Sequence, residues 1–270
     1  MAASRKDPAD ELTQEFPARR YNQGALESKT ISLAKEVPYT LFVNDSEILS
    51  AATLPSHLDE LFTGFLVSEG VLLSPEEILE CRVYHANRLV FFELDVPQER
   101  IEKVEKKGML TSGCAGGLVF SVETATFSRE QERAVVKLSA MSLLARMMEL
   151  DTYSGIYRVT RGVHAASVAD HSETLVVRED LGRHNAVDKI VGHCFLNRIE
   201  TRDKMLLTTG RITSEVLIKA ARSHFPIVIS RSSASAMAVS MAGQAGIDVV
   251  TYVRAGRFNY FCHGATDMSE

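Results

Sequence analysis

The chain has 270 residues, of which 45% are hydrophobic and 24% are charged, and this is the composition of an ordinary soluble globular protein. Its length fits one large domain or two modest domains and allows a sizeable core. The net charge of −5 gives no reason to expect a nucleic-acid partner. No apolar run approaches the roughly 18 residues of a membrane-spanning helix, so no membrane partner is expected either.

The cysteines and the first residues of the chain bear on its compartment. Cys81, Cys114, Cys194 and Cys262 are scattered, without the spacing of a metal site or of a disulfide framework. The first residues contain no apolar run of the kind found in secretory signals. We therefore predict a cytoplasmic protein with reduced thiols and without a metal site.

A tail and a small domain are predicted in the first part of the chain. Residues 1–28 are polar and mixed in charge, which is typical of a disordered tail. Residues 29–107 are predicted to form a small α+β domain, in which Asn44 and Asp45 separate two apolar runs as the turn of a β-hairpin does.

Two helices and two further strands complete the prediction for this domain. Ser56 has the character of an N-cap, an apolar stripe follows it, and Gly70 is expected to end the helix. A capping box that begins at Ser74 opens a second, short helix with proline at its first position. Apolar runs over residues 81–86 and 88–96 then predict a pair of strands.

Residues 108–137 are predicted to be a mobile, glycine-rich loop and linker that carries Cys114. A helix is predicted over residues 138–150, where the spacing indicates one apolar face. The residues of that face are Leu138, Met141, Leu144, Ala145 and Met148. This helix is expected to open the second domain, residues 138–265. In that domain, residues 157–170 are predicted to supply one or two strands.

From residue 174 onward the sequence repeats one pattern. A short run rich in Val, Ile, Leu and Thr is followed by a polar loop with an arginine and usually by an amphipathic helix. The first of these helices is predicted to have one apolar face, formed by Ala186, Val187, Ile190, Val191 and Cys194. The pattern predicts the strands of a largely parallel sheet, whose carboxyl ends and arginine loops meet at one edge. Ligands of open α/β sheets bind at that edge. The arginines are Arg183, Arg211, Arg231, Arg254 and Arg257.

These loops indicate a site for a large ligand with several phosphates. Guanidinium groups pair with phosphate oxygens, and the helix N-termini that follow the loops also favour anions. Ser232 adds a hydroxyl group. For any single arginine, the alternative that it only solvates the end of a loop stays open.

For other polar residues of this region, structural roles are weighed against functional ones. His164 and His184 either orient the ligand and move protons or are structural groups at strand ends. Glu179 and Asp180 are expected to brace the neighbouring loop. The pair Asp188 and Lys189 is expected to be a solvated face of a helix.

Cys114 differs from the other thiols. Cys81 and Cys194 lie in a predicted strand and a predicted helix, where a free cysteine is usually buried, while the environment of Cys262 is left undecided. A thiol in the segment SGCAGG is expected to be accessible and able to travel between two sites. Nearby cations such as Lys106 would lower its pKa and favour the nucleophilic thiolate.

Seven segments in a fixed order resemble the FdhD-type formate dehydrogenase accessory proteins, and the resemblance covers nearly all of residues 30–263. The segments are LFTGFLVSEG, TSGC, TRGVHAA, VVREDLGRHNAVDKIVG, TTGRITSEVLIKAA, IVISRSSAS and YVRAGRFNYFCH. The resemblance implies a small N-terminal domain and a three-layer α/β/α domain similar to the cytidine deaminases. It also implies a homodimer.

The resemblance further implies a sulfurtransferase. Cys114 would accept sulfur from a cysteine desulfurase as a persulfide and pass it to the molybdenum bis(molybdopterin guanine dinucleotide) cofactor, which formate dehydrogenase then receives. A guanine nucleotide is expected to mimic this substrate. The matching cofactor-binding segment is Tyr252, Val253, Arg254, Ala255, Gly256 and Arg257, to which the strand-end residues Arg183, His184, Arg211, Arg231 and Ser232 are added.

Two departures from known patterns matter. Many members of the family carry a second cysteine three residues after the first, where this chain has Gly117. Transfer through Cys114 alone is favoured, because exchange requires only one relay sulfur.

The alternatives are a chaperone that binds the cofactor without thiol chemistry and a hydrolase on a deaminase scaffold. Zinc is not expected, since the deaminase signature of His, Glu and paired cysteines is missing.

Overall fold

The computed structural model describes residues 11–111 and 135–269. The persulfide residue predicted from the sequence, Cys114, and most of its loop lie outside the described residues. Within the described part of the chain, no helix is long and apolar enough to cross a membrane.

The chain begins with an antiparallel hairpin. Strands β1 (Thr13–Asn22) and β2 (Ala25–Ala34) pair along their whole length. Gln23 and Gly24 turn the chain with φ values of 45° and 97°, as a two-residue hairpin turn requires. The prediction of a disordered tail over residues 1–28 is therefore wrong from Thr13 onward. Its polar composition reflects a hairpin that is solvated on both faces, not a lack of structure.

A four-stranded sheet follows, in the order β4-β3-β6-β5. Its elements are β3 (Val37–Val43), β4 (Ser46–Thr53), α1 (Leu58–Glu69), a 3-10 turn (Pro75–Glu77), β5 (Ile78–Tyr84), β6 (Leu89–Leu94) and α2 (Gln98–Thr111). The predicted hairpin turn and the left-handed Gly70 that ends α1 are confirmed, as is the capping box at Ser74. The N-cap of α1 is His57 and not Ser56. Because α2 reaches Thr111, the glycine-rich linker begins later than residue 108.

The second unit is built on a six-stranded sheet in the order β13-β12-β11-β10-β8-β9. Its elements are β7 (Val136–Ser139), α3 (Ala140–Tyr153), α4 (Gly155–Thr160), β8 (His164–Ala169), β9 (Thr174–Asp180), α5 (Arg183–Leu196), β10 (Met205–Thr208), α6 (Ser214–Arg222), β11 (Ile227–Ser230), α7 (Ala236–Ala245), β12 (Asp248–Arg254), β13 (Arg257–Phe261) and β14 (Thr266–Ser269). A separate parallel pair joins β7 to β14.

The six-stranded sheet is mixed, not largely parallel. β10, β11 and β12 are parallel neighbours, but β8 is antiparallel to both β9 and β10 and lies between them. β9 consequently runs in the same direction as β10, β11 and β12. The four strands that precede the arginine loops therefore end at one edge, as the repeated sequence pattern predicts.

Helices cover both faces of this sheet. On one face Leu143, Met147 and Leu150 of α3 pack against a cluster that includes Leu207 and Ile229. On the other face α5, α6 and α7 join the core that continues into the four-stranded sheet. The mixed α/β class is thus established.

The apolar face predicted for α3 is only partly correct, because Leu138 is buried but belongs to β7, and Leu144 is only partly buried. Met141 and Met148 are 71% and 70% exposed, whereas the series of Leu143, Met147 and Leu150 is buried. Both series have helical spacing, so periodicity alone does not choose between them. By contrast, the predicted face of α5 is buried as expected.

Two glycines bring α1 and α5 into close contact. A Cβ atom built on Gly64 would lie 1.8 Å from the carbonyl oxygen of Asp188, and one built on Gly192 would lie 1.8 Å from that of Glu60. Each glycine therefore admits the backbone of the other helix. The close crossing joins the four-stranded unit to the six-stranded unit.

Buried ion pairs surround this crossing. Lys219 Nζ lies 2.7 Å from Asp188 Oδ1, to which Ser68 Oγ donates a hydrogen bond of 3.1 Å. Lys189 is fully buried and its Nζ lies 2.7 Å from Asp180 Oδ2. The prediction that Asp188 and Lys189 form a solvated helix face is wrong, because both side chains are buried and paired, Asp188 with residues of two other helices and Lys189 with the end of β9.

Candidate functional site

The arginine-bearing loops contact one another in series along the carboxyl edge of the sheet. The side chain of Arg183 packs so closely on Gly210 that a Cβ atom there would lie 2.7 Å from the Arg183 Cβ. The Oγ of Ser230 donates to the Gly210 carbonyl at 2.5 Å. The Tyr252 amide donates to the Ser232 carbonyl at 2.9 Å. The loops after β9, β10, β11 and β12 therefore form one continuous surface.

A tight hairpin forms the end of this surface. Ala255 and Gly256 have φ values of 51° and 73°, which is the two-residue turn that joins β12 to β13. Tyr252 also has a positive φ, 55°, and the register between the strands shifts by one residue there. This bulge places Tyr252 beside Ser232, and the guanidinium carbon of Arg254 lies 5.9 Å from the Tyr252 ring centroid.

A groove of about 520 Å³ opens along the edge. Four of the predicted residues line it, namely Arg231, Ser232, Tyr252 and Arg254. The other lining residues are Tyr157, Arg161, Gly162, Val163, His164, Leu181 and Thr209. Its volume is that of a small-molecule site.

The electrostatic surroundings of His164 are cationic. Burial lowers its pKa, and the charges of Arg183 and His184 lower the pKa further. His164 is therefore neutral at pH 7, with Nδ1 3.5 Å from Thr209 Oγ1. The Nε of Arg183 is buried and has no hydrogen-bond partner within the described ranges. A donor without a partner beside a neutral histidine is suited to bind an anion.

His184 and Arg231 each have a carboxylate neighbour. His184 Nδ1 lies 3.0 Å from Glu215 Oε2, and this bond lowers the pKa of Glu215 despite its partial burial. Arg231 Nη1 lies 2.6 Å from Asp151 Oδ1 on α3. These contacts orient the two side chains at the edge, so His184 has a structural partner whether or not it also contacts a ligand.

Not every predicted residue lines the groove. Val253 is 2% exposed and does not line the groove, and four exposed residues also lie outside its lining, namely Arg211, Ala255, Gly256 and Arg257. Arg183 approaches the groove through its contact with Gly210. Glu179 braces a neighbouring segment as predicted, because it accepts the amide hydrogens of Ile156 and Tyr157.

Sequence reasoning missed one wall of the groove. Tyr157 and Arg161 belong to the short helix α4 and its C-cap, a region predicted as strand. Arg161 has a φ of 55°, and its guanidinium carbon lies 5.0 Å from the Tyr157 ring centroid. The available signal was an arginine beside a predicted strand, although here the arginine precedes the strand and does not follow it.

The thiols that the structure describes divide into two kinds. Cys194 is buried and Cys81 is partly buried, and burial raises the pKa of both to about 12. Cys262 is exposed beyond β13. The first two are therefore inert at neutral pH, which agrees with the structural role predicted for them.

Comparison with known proteins decides the family. The sequence profile of the FdhD/NarQ family matches residues 34–266. The chain belongs to the FdhD/NarQ family. The resemblance drawn from the seven segments is thereby confirmed.

The similar proteins match along nearly their whole length. The sulfur carrier protein FdhD of Bacillus subtilis (strain 168) is 35% identical over 254 residues, which are 94% of this chain and 97% of that protein. The sulfur carrier protein FdhD of Staphylococcus aureus (strain Newman) is 33% identical, covering 92% and 93%. A crystal structure from Desulfotalea psychrophila, assigned as a formate dehydrogenase accessory protein, is 27% identical with a TM-score of 0.75, covering 93% and 97%.

Proposed function

We propose that this protein is a sulfur carrier that takes sulfur from a cysteine desulfurase as a persulfide of Cys114. It transfers that sulfur to the molybdenum bis(molybdopterin guanine dinucleotide) cofactor, which is then used by formate dehydrogenase. The observation that carries the proposal is the cation-lined groove at the carboxyl edge of the sheet, in a chain related over its length to proteins named sulfur carriers.

The groove supports the substrate half of this proposal. A nucleotide-bearing cofactor presents pyrophosphate oxygens and flat rings. Arg231 and Arg254 offer planar forks for the former, and Tyr252 offers a stacking surface for the latter. The free amides at the N-terminus of α5, where Gly182 makes no side-chain cap, add anion-binding capacity beside them.

Cys114 supports the sulfur half. Its thiolate attacks the sulfane sulfur of the donor persulfide, a new S–S bond forms at Cys114, and the donor leaves as a thiolate, so no external oxidant is consumed. In delivery, the acceptor substrate supplies the electron pair for a new bond to the outer sulfur, the S–S bond breaks, and its electron pair leaves with the Cys114 thiolate. A single cysteine is sufficient for both steps, so Gly117 in place of a second cysteine does not prevent them.

Mass spectrometry tests the sulfur half. After incubation with a cysteine desulfurase and cysteine, the wild-type protein is expected to gain ~32 Da per sulfur on Cys114. Cys114→Ser is expected to lose this adduct, whereas Cys262→Ser, which removes the exposed thiol beyond β13, is the matched control and keeps it. Normal maturation of formate dehydrogenase by Cys114→Ser would refute the relay.

Titration with GDP tests the substrate half. We expect Arg254→Gln to weaken GDP binding by at least about tenfold, because one bidentate charged contact contributes roughly 1.5–3 kcal/mol. Arg202→Gln, an arginine at the opposite edge of the sheet, is the control and is expected to bind GDP as the wild type does. Equal affinities of all three proteins would remove the groove from the proposal.

The second candidate is a chaperone that binds the cofactor without thiol chemistry, and Gly117 favours it. It predicts GDP binding without the sulfur adduct, so the two experiments separate the candidates. The homodimer, the similarity of the layers to cytidine deaminases, the absence of zinc and the cytoplasmic location stay predictions. Metal analysis tests the zinc prediction, and stoichiometric zinc would revive a hydrolase.

A further inference from the structure

Two arginine–tyrosine pairs line the groove, and only one of them lies in the predicted binding segment. Arg254 lies over Tyr252 on the hairpin side, and Arg161 lies over Tyr157 on the α4 side. Both pairs depend on a residue with a left-handed backbone, Tyr252 in one and Arg161 in the other, each with a φ of 55°. The second pair has no role in the function proposed above.

The topology of the sheet sets the separation of the two pairs. Arg161 leads into β8, Tyr252 and Arg254 lie at the end of β12, and β10 and β11 lie between those strands. Three inter-strand spacings of about 4.8 Å place the pairs on the order of 14 Å apart. Arg231, Ser232 and Thr209 line the groove between them.

Each pair has the chemistry of a ring-binding subsite. Flat heterocycles stack on aromatic rings and on guanidinium planes, and guanidinium N–H groups also donate hydrogen bonds to phosphate oxygens. No carboxylate lies within ion-pair distance of Arg161 or Arg254 in the described part of the chain, whereas Arg231 between them has Asp151. The two ends of the groove are therefore more open to a ligand than its middle.

We propose that Tyr157 and Arg161 form a second ring-binding subsite, so that the groove holds a dinucleotide with one heterocycle at each end and the pyrophosphate between them. This rests on the proposed function, because it assigns the second ring of the same nucleotide-bearing substrate. A mononucleotide such as GDP has one ring, and that ring occupies the subsite formed by Tyr252 and Arg254.

Calorimetric titration with two probes tests the subsite. The probes are GDP, which has one ring, and diguanosine pyrophosphate, which has two rings joined by a pyrophosphate. The wild-type protein is expected to bind the two-ring probe at least about tenfold more tightly, since each stacked ring adds affinity of that order. Tyr157→Leu and Arg161→Gln are expected to abolish this advantage and leave the Kd for GDP unchanged.

Matched controls come from the same segment. Arg158 donates to the Thr152 carbonyl and Tyr153 is 60% exposed, and neither lines the groove. Arg158→Gln and Tyr153→Leu are expected to keep the tenfold advantage. Because Tyr157 packs on a small apolar cluster, a thermal melt checks that its variant is folded, and the exposed Arg161 provides the independent variant.

The outcomes separate the two proposals. If GDP binds but the two-ring probe has no advantage, the second subsite is wrong and the substrate half of the function stands. If the Tyr157 and Arg161 variants weaken GDP as much as the larger probe, the pair belongs to the first ring site and the inference is overturned. If neither probe binds the wild-type protein, both proposals fail.

Discussion

Replacing Gly64 by alanine tests the helix crossing that joins the two units. The new Cβ would lie 1.8 Å from the Asp188 carbonyl oxygen, whereas ordinary contact begins at 3.4 Å. The helices would have to separate by about 1.5 Å, and a gap of that size forfeits most of the dispersion energy across the contact. We expect a loss of about 3 kcal/mol in the free energy of unfolding, at the upper end of the overpacking range.

The sign of this effect is informative, because alanine in a helix is otherwise about 1 kcal/mol better than glycine. Gly192→Ala is expected to cost a similar amount, and the double variant less than the sum, since one separation relieves both contacts. Gly155→Ala is the control, because nothing lies within 4 Å of its Cβ position. Urea unfolding followed by circular dichroism measures all four, and a Gly64→Ala protein as stable as the wild type would refute the close crossing.

Three further predictions follow from buried groups. Lys219→Met leaves the Asp188 carboxylate buried without its cation and is expected to cost about 3–5 kcal/mol in urea unfolding, with Lys219→Arg retaining part of the stability. Because burial lowers the pKa of His164, the folded state binds fewer protons than the unfolded chain below pH 6.5, so stability falls as the pH falls through that range. His164→Asn is expected to flatten this part of the curve of melting temperature against pH, and an unchanged slope would contradict the assignment. Iodoacetamide at pH 8 is expected to alkylate the exposed Cys262 long before Cys194, whose pKa burial raises to about 12; equal rates in peptide mapping would contradict this.

Local sequence patterns correctly predicted the buried face of a helix where the spacing of apolar residues allows only one such face. The face of α5 that contains Ala186, Ile190 and Cys194 is an example, and its burial followed from spacing alone. The arginine loops meet at one edge for a similar reason, because each strand of the repeated pattern runs in the same direction.

The errors arose where the deciding partner is distant in the sequence. The face that α3 buries depends on the underside of a sheet formed later in the chain, and two series of apolar residues compete for it. Asp188 looked solvated because its partners, Ser68 and Lys219, lie on other helices. The insertion of β8 between β9 and β10 is likewise a property of the whole sheet, and no local pattern encodes it.

Arg161 was missed for a related reason. The residues around Arg161 were predicted to form a strand, so Arg161 was not grouped with the arginines of the loops that follow strands. Only the fold shows that the segment before β8, which runs against the other strands, begins at the edge where they end. A residue just before an antiparallel strand can therefore line the groove, although a search restricted to the carboxyl ends of parallel strands does not find it.

Asp180 connects the two units through hydrogen bonds to both. Its carboxylate accepts hydrogen bonds from the hydroxyl of Thr53 and the amide of Leu54 in one unit, and from the Gly182 amide and the Asn185 side chain in the other. Those last two residues flank Arg183, so the edge that we propose binds phosphates depends on a hydroxyl contributed from outside its own sheet. A laboratory chimera that exchanged the N-terminal unit alone would therefore have to keep a hydroxyl group at position 53, so the two units are not independent modules.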